Sequence, residues 1–276
     1  MSKLIVVGGG PAGLTAAFYA VRRRLEVLLV SPELGGQTRH QSTLPGFEEH
    51  RVIRGGDLVA RFARELEYLG YPVRTGAVAQ VRAAVDGFRV RLAAGQELDA
   101  RAVILATGSR ASRLGVPGEA ELFQKGLYGS AASYAHLFLD KSVLVAGLGA
   151  RARAAAAELS AAGAQARLLE EGERLVSLSG GPGAVQAVVE GPTGRKLLDV
   201  DGVFNALEPS PNSGPVSGLA ELDGAGWVRV DSRCRTSCPG LFAAGDVTDV
   251  HREQVLVAMG EGAKAFLSAV EYLEGK

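Results

Sequence analysis

The stretch GGGPAG at residues 8–13 constrains the fold of this chain more than any other part of the sequence. It follows the continuous apolar run LIVV (4–7), which is typical of a strand buried on both faces. After it, LTAAFYAVRRR predicts a helix and EVLLV (26–30) predicts a second strand. Glycines in the G-x-G-x-x-G spacing between the strand and the helix of a βαβ unit indicate a dinucleotide-binding domain.

Each glycine of this first fingerprint has a physical reason. Gly8 permits the tight turn, Gly10 lets backbone amides approach a pyrophosphate, and Gly13 allows the helix to pack closely on the strand. Pro11 suits the first helical turn, where no amide hydrogen bond is lost. The partial positive charge at the helix N-terminus favours the phosphates.

The sequence offers two candidates for the residue that binds the adenosine ribose and does not decide between them. A dinucleotide site usually has an acid at the end of the second strand for this contact. Ser31 holds that place here, and Glu33 follows two residues later. Either side chain is able to accept a ribose hydrogen bond, but Glu33 is equally well interpreted as a solvated turn residue.

A second fingerprint repeats the pattern in the middle of the chain. The strand VLVA (143–146) is followed by Gly147, Gly149 and Ala152 in the G-x-G-x-x-A spacing, and then by an alanine-rich helix over 150–162. Two such units favour a flavoenzyme with FAD in one and NAD(P) in the other. The alternative is that this second turn and helix are only a scaffold.

Two acids end the next strand, QARLLE. An acid at Glu170 or Glu171 favours the free 2′-hydroxyl of NAD(H), so NAD(H) is the open candidate and NADP(H) is disfavoured. The following stretch, 172–204, predicts two or three strands in hairpins and no further helix. The second domain is therefore expected to be shortened.

Three elements, two near the C-terminus and one nearer the middle of the chain, complete the pattern of the first domain. GLFAAGDV predicts a short strand ending in Gly245 and Asp246, and an aspartate there is able to bond the ribityl hydroxyls of a flavin. From Gln254 onward the sequence predicts a helix whose N-terminal amides meet flavin ring carbonyls. AVILATGS (102–109) is the other sheet element, which ends in the turn Ala106-Thr107-Gly108.

Several of these pieces occur together, and in this order, in a known family. GGGPAGLTAAFYA, GGQ, LPGF, ATG, VPGE, TSCPGLFAAGDV and REQV…GEGAKA…EYL resemble the low-molecular-weight thioredoxin reductases. The resemblance implies an α/β fold of two dinucleotide-binding (Rossmann-like) βαβ domains, the second inserted in the first and shortened. It places an FAD-binding domain at 1–112 and 229–276 and an NAD(P)-binding-like domain at 113–228, and it implies a homodimer.

The resemblance also carries cofactor contacts to positions of this sequence. The FAD contacts are Gly8, Gly10, Pro11, Ala12, Gly13, Ser31, Glu33, Gly36, Gln37, Pro45, Gly46, Val78, Ala106, Thr107, Gly108, Gly245, Asp246, Gln254 and Val255. The candidate NAD contacts, which come from the second fingerprint and the acid after it, are Gly147, Gly149, Ala152 and Glu170. Where the family has Arg-Gln-Ala, this chain has Glu253-Gln254-Val255 with Arg252 one place earlier, so the arginine contact is not carried over.

The family's redox centre is altered. Where the family carries C-x-x-C followed by an acid, this chain reads Ser130-Ala-Ala-Ser133-Tyr134. A hydroxyl neither forms a thiolate at neutral pH nor a disulfide. Either the stretch now serves only for packing, or its serines and Tyr134 line a flavin pocket open to another acceptor.

The two cysteines, Cys234 and Cys238, are poor substitutes for that centre. On an extended segment they lie about 13 Å apart, beyond disulfide reach unless the chain turns between them. We interpret them as structural. The histidines, at 40, 50, 136 and 251, have no metal-ligand spacing, so no metal is predicted; His251 is a candidate proton donor.

Composition excludes several classes of protein. Lys+Arg 30 equals Asp+Glu 30, which gives no argument for nucleic acid or an anionic membrane as a partner. Two cysteines exclude a disulfide-rich secreted scaffold. The N-terminus MSKLIVVGGG lacks the pattern of a signal peptide, so we expect a cytoplasmic protein.

Two functions follow from these patterns. The first is an oxidoreductase that passes electrons through FAD to an acceptor other than a disulfide, for example a quinone, oxygen, an iron–sulfur protein or a second flavin. The second is a flavin-binding sensor or interaction protein with little turnover and a degenerate nucleotide domain.

Overall fold

A computed structural model of the chain describes residues 2–39, 55–71, 73–250 and 253–275. These form two compact units: unit 1 holds the described residues up to 110 and from 210 onward, and unit 2 holds 111–209. Several predicted positions lie outside the described residues: Pro45, Gly46, His40, His50, His251 and Arg252.

Unit 1 is built on a seven-stranded sheet with helices. Its elements are β1 (Ser2–Gly9), α1 (Pro11–Arg22), β2 (Val27–Leu34), α2 (Gly55–Tyr68), β3 (Val73–Thr75), β4 (Val78–Ala84), β5 (Gly87–Leu92), β6 (Glu97–Leu105), β7 (Ser109–Arg110), β15 (Ser210–Pro211), β16 (Leu241–Ala243) and α6 (Val255–Glu274).

The sheet of unit 1 joins a parallel part to an antiparallel part. Its order is β3-β2-β1-β6-β5-β4, and β16 pairs with the end of β6. The pairs among β1, β2, β3, β6 and β16 are parallel, whereas β4, β5 and β6 form an antiparallel meander. The βαβ unit predicted from the first fingerprint is therefore present as β1-α1-β2.

The apolar run of β1 is buried on both faces, as predicted. Leu4 and Val6 belong to the core that packs with α1 and α6, whereas Ile5 and Val7 belong to the core on the other face. All four are at most 2% exposed. Burial on both faces is the environment that a continuous apolar strand favours over an alternating one.

Helices α1 and α6 approach each other closely because small residues lie between them. A Cβ on Gly262 would lie 2.1 Å from the carbonyl oxygen of Ala12, and one on Gly245 would lie 3.0 Å from the Ala12 Cβ. The three small residues bring α6, the start of α1 and the turn after β16 to one place.

Unit 2 contains a smaller parallel sheet and an antiparallel one. Its elements are α3 (Glu119–Leu122), β8 (Leu127–Tyr128), α4 (Ala131–Tyr134), β9 (Ser142–Ala146), α5 (Gly149–Ala161), β10 (Gln165–Leu168), β11 (Arg174–Gly181), β12 (Ala184–Gly191), β13 (Gly194–Val200) and β14 (Gly202–Asn205).

The second dinucleotide-like fold is reduced, as the sequence predicts. The strands β10-β9-β14-β8 form a parallel sheet, and β11-β12-β13 form a separate antiparallel sheet. Within residues 162–209 the structure has strands and no further α-helix. A parallel βαβ unit, β9-α5-β10, is thus followed by hairpins.

The end of unit 2 differs from the predicted boundary after residue 228. Residues 210–228 belong to unit 1 in the structure. β15 pairs with β7, the Asn212 amide exchanges hydrogen bonds with Thr107, and Val216 is fully buried in the core of unit 1. These partners lie about a hundred residues earlier in the chain, so local sequence patterns do not reveal them.

The α1–α6 contact generates a stability prediction with a matched control. Gly262→Ala places a methyl group against the Ala12 carbonyl, so we expect a loss of about 1–3 kcal/mol in the free energy of unfolding. Gly260→Ala lies on the same helix with nothing within 4 Å of its Cβ, so we expect it to be neutral or stabilising by up to about 1 kcal/mol. Urea unfolding of both variants measures these free energies. Equal changes in the free energy of unfolding for the two variants would contradict the prediction.

Candidate functional site

The first fingerprint forms a turn in which Gly8 and Gly13 are sterically required, whereas Gly10 leaves open space. Gly8 has φ +111°, and a Cβ there would lie 2.2 Å from the Ala106 carbonyl oxygen. A Cβ on Gly13 would lie 1.9 Å from the Gly8 carbonyl oxygen. At Gly10, by contrast, no atom of the described residues lies within 4 Å of a Cβ. The turn is closed beneath Gly8 and Gly13 and open above Gly10.

The start of α1 is the second part of this turn. Pro11 is the first helical residue, as predicted, and Gly10 is the N-cap. Glycine has no side chain with which to bond the first amides of the helix, and Gly36 approaches so closely that its Cβ would lie 3.1 Å from the Gly10 Cα. The loop after β2 and the helix N-terminus therefore lie side by side.

The two ribose candidates have different surroundings. The Ser31 side chain is buried, and its hydroxyl donates a hydrogen bond to the Glu33 carbonyl at 2.6 Å. Glu33 itself is exposed on the segment that ends β2. Val78, predicted to face the adenine, begins β4 and lies opposite Leu92 in β5. The cofactor roles of these three residues remain predictions.

Gln37 and the turn after β6 are connected by hydrogen bonds that the sequence does not reveal. The Gln37 amide nitrogen donates to the Ser109 carbonyl at 3.0 Å. The Thr107 hydroxyl donates to the Asn212 carbonyl at 2.8 Å, and the Asn212 amide returns a bond to the Thr107 carbonyl at 3.0 Å. Gly108, with φ +66°, accepts a third bond from the Asn212 N–H.

Asp246 is the strongest single indication of a ligand in unit 1. It follows Gly245 (φ +76°) in the turn after β16, and its Oδ1 atom is buried with no hydrogen-bond partner among the described residues. Burial, and then the charges of Glu253 and Glu261, raise the pKa of Asp246 from 3.8 to about 7. A buried carboxyl oxygen without a partner costs free energy unless a ligand or water satisfies it.

The start of α6 is the remaining part of the predicted flavin contact. Gln254 is the N-cap and Val255 the first helical residue. This helix is twenty residues long, and it has no acidic side chain in its first turn. Its N-terminal amides are therefore a favourable place for a carbonyl oxygen or partial negative charge.

The second fingerprint repeats the geometry of the first. A Cβ on Gly147 would lie 2.8 Å from the Ala206 carbonyl oxygen, as a Cβ on Gly8 would meet the carbonyl of Ala106. Gly149 (φ +86°) begins α5 with open space around its Cβ, and Ala152 is fully buried.

The acid predicted for a nucleotide ribose lies on the surface of unit 2. Glu170 is exposed, and its backbone N–H donates to the Glu173 carboxylate at 3.1 Å. Glu173 is largely buried and also forms an ion pair with Arg167 at 2.9 Å. The sequence analysis missed this pair, which fixes the loop after β10.

The serines at the predicted redox position have a local structural role. The Ser130 hydroxyl caps α4 by accepting a hydrogen bond from the Ser133 N–H at 3.3 Å, and it donates to the Ser133 hydroxyl at 3.2 Å. The Tyr134 ring packs on Tyr128, with ring centroids 5.3 Å apart, in the aromatic core of unit 2. These contacts support the packing interpretation.

The cysteines do not form a disulfide. Cys234 is buried, has φ +61°, and its thiol lies 3.6 Å from the Glu261 carbonyl. Burial raises the pKa of the Cys234 thiol to about 11 and also raises that of Cys238. Both thiols are held in the unreactive protonated form at neutral pH.

Neither a metal site nor a membrane span is found in the part of the chain that the structure describes. Within the described ranges, no three His, Cys, Asp or Glu side chains are grouped so as to hold a metal ion. No helix among the residues that the structure describes is long and apolar enough to cross a membrane.

Comparison with known families agrees with this geometry. The chain matches the family Pyridine nucleotide-disulphide oxidoreductase over residues 2–190 and 179–262. This chain belongs to that family. Members are oxidoreductases, and the family implies binding of FAD and of NAD(P)H.

Individual relatives agree with the family and with the resemblance seen in the sequence. The chain is 32% identical, over 301 residues and 98% of its length, to an alkyl hydroperoxide reductase protein of Pseudomonas aeruginosa. It spans 58% of the length of that curated relative. Thioredoxin reductase from Streptococcus pyogenes is similar in structure, with a TM-score of 0.90, 28% identity and coverage of 100% and 99% of the two chains.

A second solved structure extends the comparison. Thioredoxin reductase from Giardia duodenalis has a TM-score of 0.88 and 26% identity, and 99% of each chain is covered. The two Rossmann-like domains predicted from the sequence are thereby confirmed for this member of the pyridine nucleotide-disulphide oxidoreductases.

The residues of unit 1 fit the FAD that the family implies. Within the described residues, the open space at Gly10 leaves room for a pyrophosphate at the start of α1, and the Asp246 Oδ1 atom has no partner and is suited to accept a hydrogen bond from a ribityl hydroxyl. Gly245, Gln254 and Val255 come from the same unit.

The raised pKa of Asp246 generates a prediction for the FAD-free protein. Between pH 4 and 7 the folded protein keeps a proton on Asp246 that the unfolded chain has lost, so stability falls as pH rises through this range. Asp246→Asn removes this dependence and is expected to be more stable than wild type at pH 8 by about 2–4 kcal/mol.

Denaturant unfolding at pH 5 and pH 8 measures the effect. Asp86→Asn, on an exposed turn between β4 and β5, is the matched control. It is expected to leave the free energy of unfolding unchanged at both pH values. An Asp246→Asn variant with the same pH dependence as wild type would contradict the prediction.

Proposed function

We propose that this chain binds FAD in unit 1 and passes electrons from a reduced pyridine nucleotide to an acceptor that is not a disulfide of this chain. The observation that carries the proposal is the pairing, in one unit, of a glycine turn that is open at Gly10 with a buried carboxyl oxygen of Asp246, which has no hydrogen-bond partner among the residues that the structure describes. Empty space and an unsatisfied acceptor are what a dinucleotide with a hydroxylated chain would fill.

Each part of the site has a defined task. The Gly8–Gly13 turn and the N-terminus of α1 bind the pyrophosphate, and the Asp246 carboxyl accepts a ribityl hydroxyl. The N-terminal amides of α6, at Val255, face the ring carbonyls and favour negative charge there. When bound, the flavin supplies the two-electron chemistry that connects a nicotinamide to the acceptor.

The acceptor is proposed to be something other than a disulfide carried on this chain. The Ser130 hydroxyl caps α4 and bonds the Ser133 hydroxyl, and Cys234 and Cys238 are unpaired thiols with raised pKa values. None of these four side chains supports thiol exchange. A quinone, oxygen, an iron–sulfur protein or a second flavin remain the acceptor classes to test.

Relatives supply a context for this proposal. The alkyl hydroperoxide reductase protein of Pseudomonas aeruginosa is longer than this chain, which spans 58% of it. The homodimer and the cytoplasmic location expected from the sequence also remain proposals.

A specific observation favours a second candidate, a flavin-binding protein with little turnover. After β10 the chain turns into the β11-β12-β13 hairpins, and Glu173 occupies the loop next to Glu170 with its ion pair to Arg167. This ion-paired loop leaves less room for the adenosine half of a bound pyridine nucleotide. Rapid-kinetic measurement of flavin reduction separates the two candidates.

Gly10→Val tests the cofactor. The φ of Gly10 is −76°, which valine adopts readily, so the fold is expected to persist while the side chain fills the open space above the turn. We expect wild type to retain FAD rather than FMN and the variant to retain less than about a tenth as much. Absorbance at 450 nm per protein measures both.

The matched control for this variant is Gly181→Val. Nothing lies within 4 Å of its Cβ either, and it belongs to unit 2. A wild-type protein that remains colourless after incubation with FAD would overturn the proposal, and so would a Gly10→Val protein as yellow as the control.

The nucleotide preference is tested by anaerobic stopped-flow reduction. The exposed Glu170 should disfavour a 2′-phosphate by roughly 1.4 kcal/mol, so reduction is expected to be about tenfold more efficient with NADH than with NADPH. Glu170→Arg should remove this preference, whereas Glu158→Ala, exposed on α5, should keep it. Fast, saturable reduction of the wild-type flavin by NADPH would contradict both the predicted preference for NADH and the second candidate, a flavin-binding protein with little turnover.

Thiol chemistry is tested by turnover with thioredoxin. We expect no NADH-dependent or NADPH-dependent reduction of thioredoxin by this chain, because no thiol pair is available to relay electrons. Reduction of a quinone should be equal in wild type and Cys238→Ser. Thioredoxin turnover that disappears in Cys238→Ser would show that the cysteines are redox-active.

A further inference from the structure

A buried carboxylate on α6 was not singled out by the sequence analysis. Glu261 is only 7% exposed, and its Oε2 atom accepts a hydrogen bond from the Gly245 N–H at 2.7 Å. Burying a carboxylate is unfavourable unless its oxygens are hydrogen-bonded. Bonds from a backbone N–H to a carboxylate are roughly twice as strong as neutral ones.

The position of Glu261 connects it to the turn that carries Asp246. The Gly245 N–H is held by Glu261, while the Gly245 carbonyl accepts hydrogen bonds from the N–H and the hydroxyl of Thr248, both at 3.0 Å. Both polar groups of Gly245 are thus fixed. The next residue in the chain is Asp246, so its direction depends on this peptide.

The same place is where the two helices of the site meet. Gly262, adjacent to Glu261, packs on the Ala12 carbonyl, and Gly245 packs on the Ala12 side chain. Glu261 therefore supplies the polar contact within a junction that is otherwise made of small apolar groups. Its bond links α6, whose N-terminus is part of the proposed flavin site, to the Asp246 turn.

We propose that Glu261 is a positioning residue of the flavin site. It holds the Gly245 amide so that Asp246 faces the ribityl chain, and it links FAD binding to the loss of a proton from Asp246. The inference rests on the proposed binding of FAD in unit 1. It assigns to α6 a second task besides presenting its N-terminal amides.

The proton linkage follows from the charges around Asp246. Burial raises the pKa of Asp246 most, and the charges of Glu253, just before α6, and Glu261, on α6, raise it further. A ribityl hydroxyl donates more strongly to an ionised carboxylate than to a carboxylic acid. FAD affinity should therefore increase as pH rises through about 7, the pKa of Asp246.

Two substitutions at Glu261 separate the hydrogen bond from the charge. Glu261→Gln keeps an acceptor oxygen for the Gly245 N–H and removes the charge. Its FAD affinity at pH 8 should stay within about threefold of wild type, while the rise of affinity with pH moves to lower pH because the pKa of Asp246 falls. Glu261→Ala removes both and should weaken FAD binding about tenfold or more at pH 8.

The experiment is titration of the full FAD-free chain with FAD, followed by flavin fluorescence, between pH 5.5 and 8.5. Glu271→Gln is the matched control: it lies on the same helix, ten residues and about 15 Å further along, and its side chain pairs with Arg233. The control should reproduce both the affinity and the pH profile of wild type.

The outcomes distinguish this inference from the proposed function. A wild-type chain that binds no FAD at any pH overturns the proposed function and this inference with it. A wild-type chain that binds FAD, with a Glu261→Gln profile that rises at the same pH as wild type, overturns only the inference. If Glu261→Ala does not fold, the Glu261→Gln profile still decides.

Discussion

The contact between α6 and the start of α1 is the constraint on which the arrangement of unit 1 depends. Gly262 lies so close to the Ala12 carbonyl that no side chain fits between them, and Gly245 packs on Ala12 from the turn after β16. The start of α1 and the chain segment that runs from the turn at Gly245 into α6 are far apart in the sequence and are thereby brought to the end of one parallel sheet. Ligand sites of open α/β sheets form at this carboxyl end of the strands.

The two glycine turns of the chain use the same steric device. In each, the first glycine lies against the carbonyl of an alanine that follows a neighbouring parallel strand, Ala106 for Gly8 and Ala206 for Gly147. The later part of unit 2 then departs from unit 1, because hairpins follow where unit 1 has a helix and a longer sheet. The second turn has therefore kept its backbone geometry while the structure around it has been reduced.

The elements of the fold could be predicted from the sequence, but most side-chain partners could not. The apolar runs before Gly8 and Gly147 and the small-residue helices after them are local patterns, and the structure has strands and helices there. Asn212 bonds Thr107 and Ser109 bonds Gln37 across 105 and 72 residues. Such pairs depend on how distant segments meet, which no periodicity encodes, and the same is true of the boundary that the structure places before residue 210.

The acids of unit 1 carry an energetic cost that a ligand bound at the proposed site would offset. Asp246 is partly buried, and burial, followed by the charges of Glu253 and Glu261, raises the pKa of its carboxyl in the ligand-free protein. An apolar or amide side chain at Asp246 would avoid that cost in a domain that served only as scaffold. The serines of α4 show the opposite situation, because their hydroxyls satisfy each other and the helix start. Among the described residues, the proposed flavin site therefore keeps a carboxyl oxygen without a partner, whereas Ser130 and Ser133, at the position of the family's redox centre, bond each other.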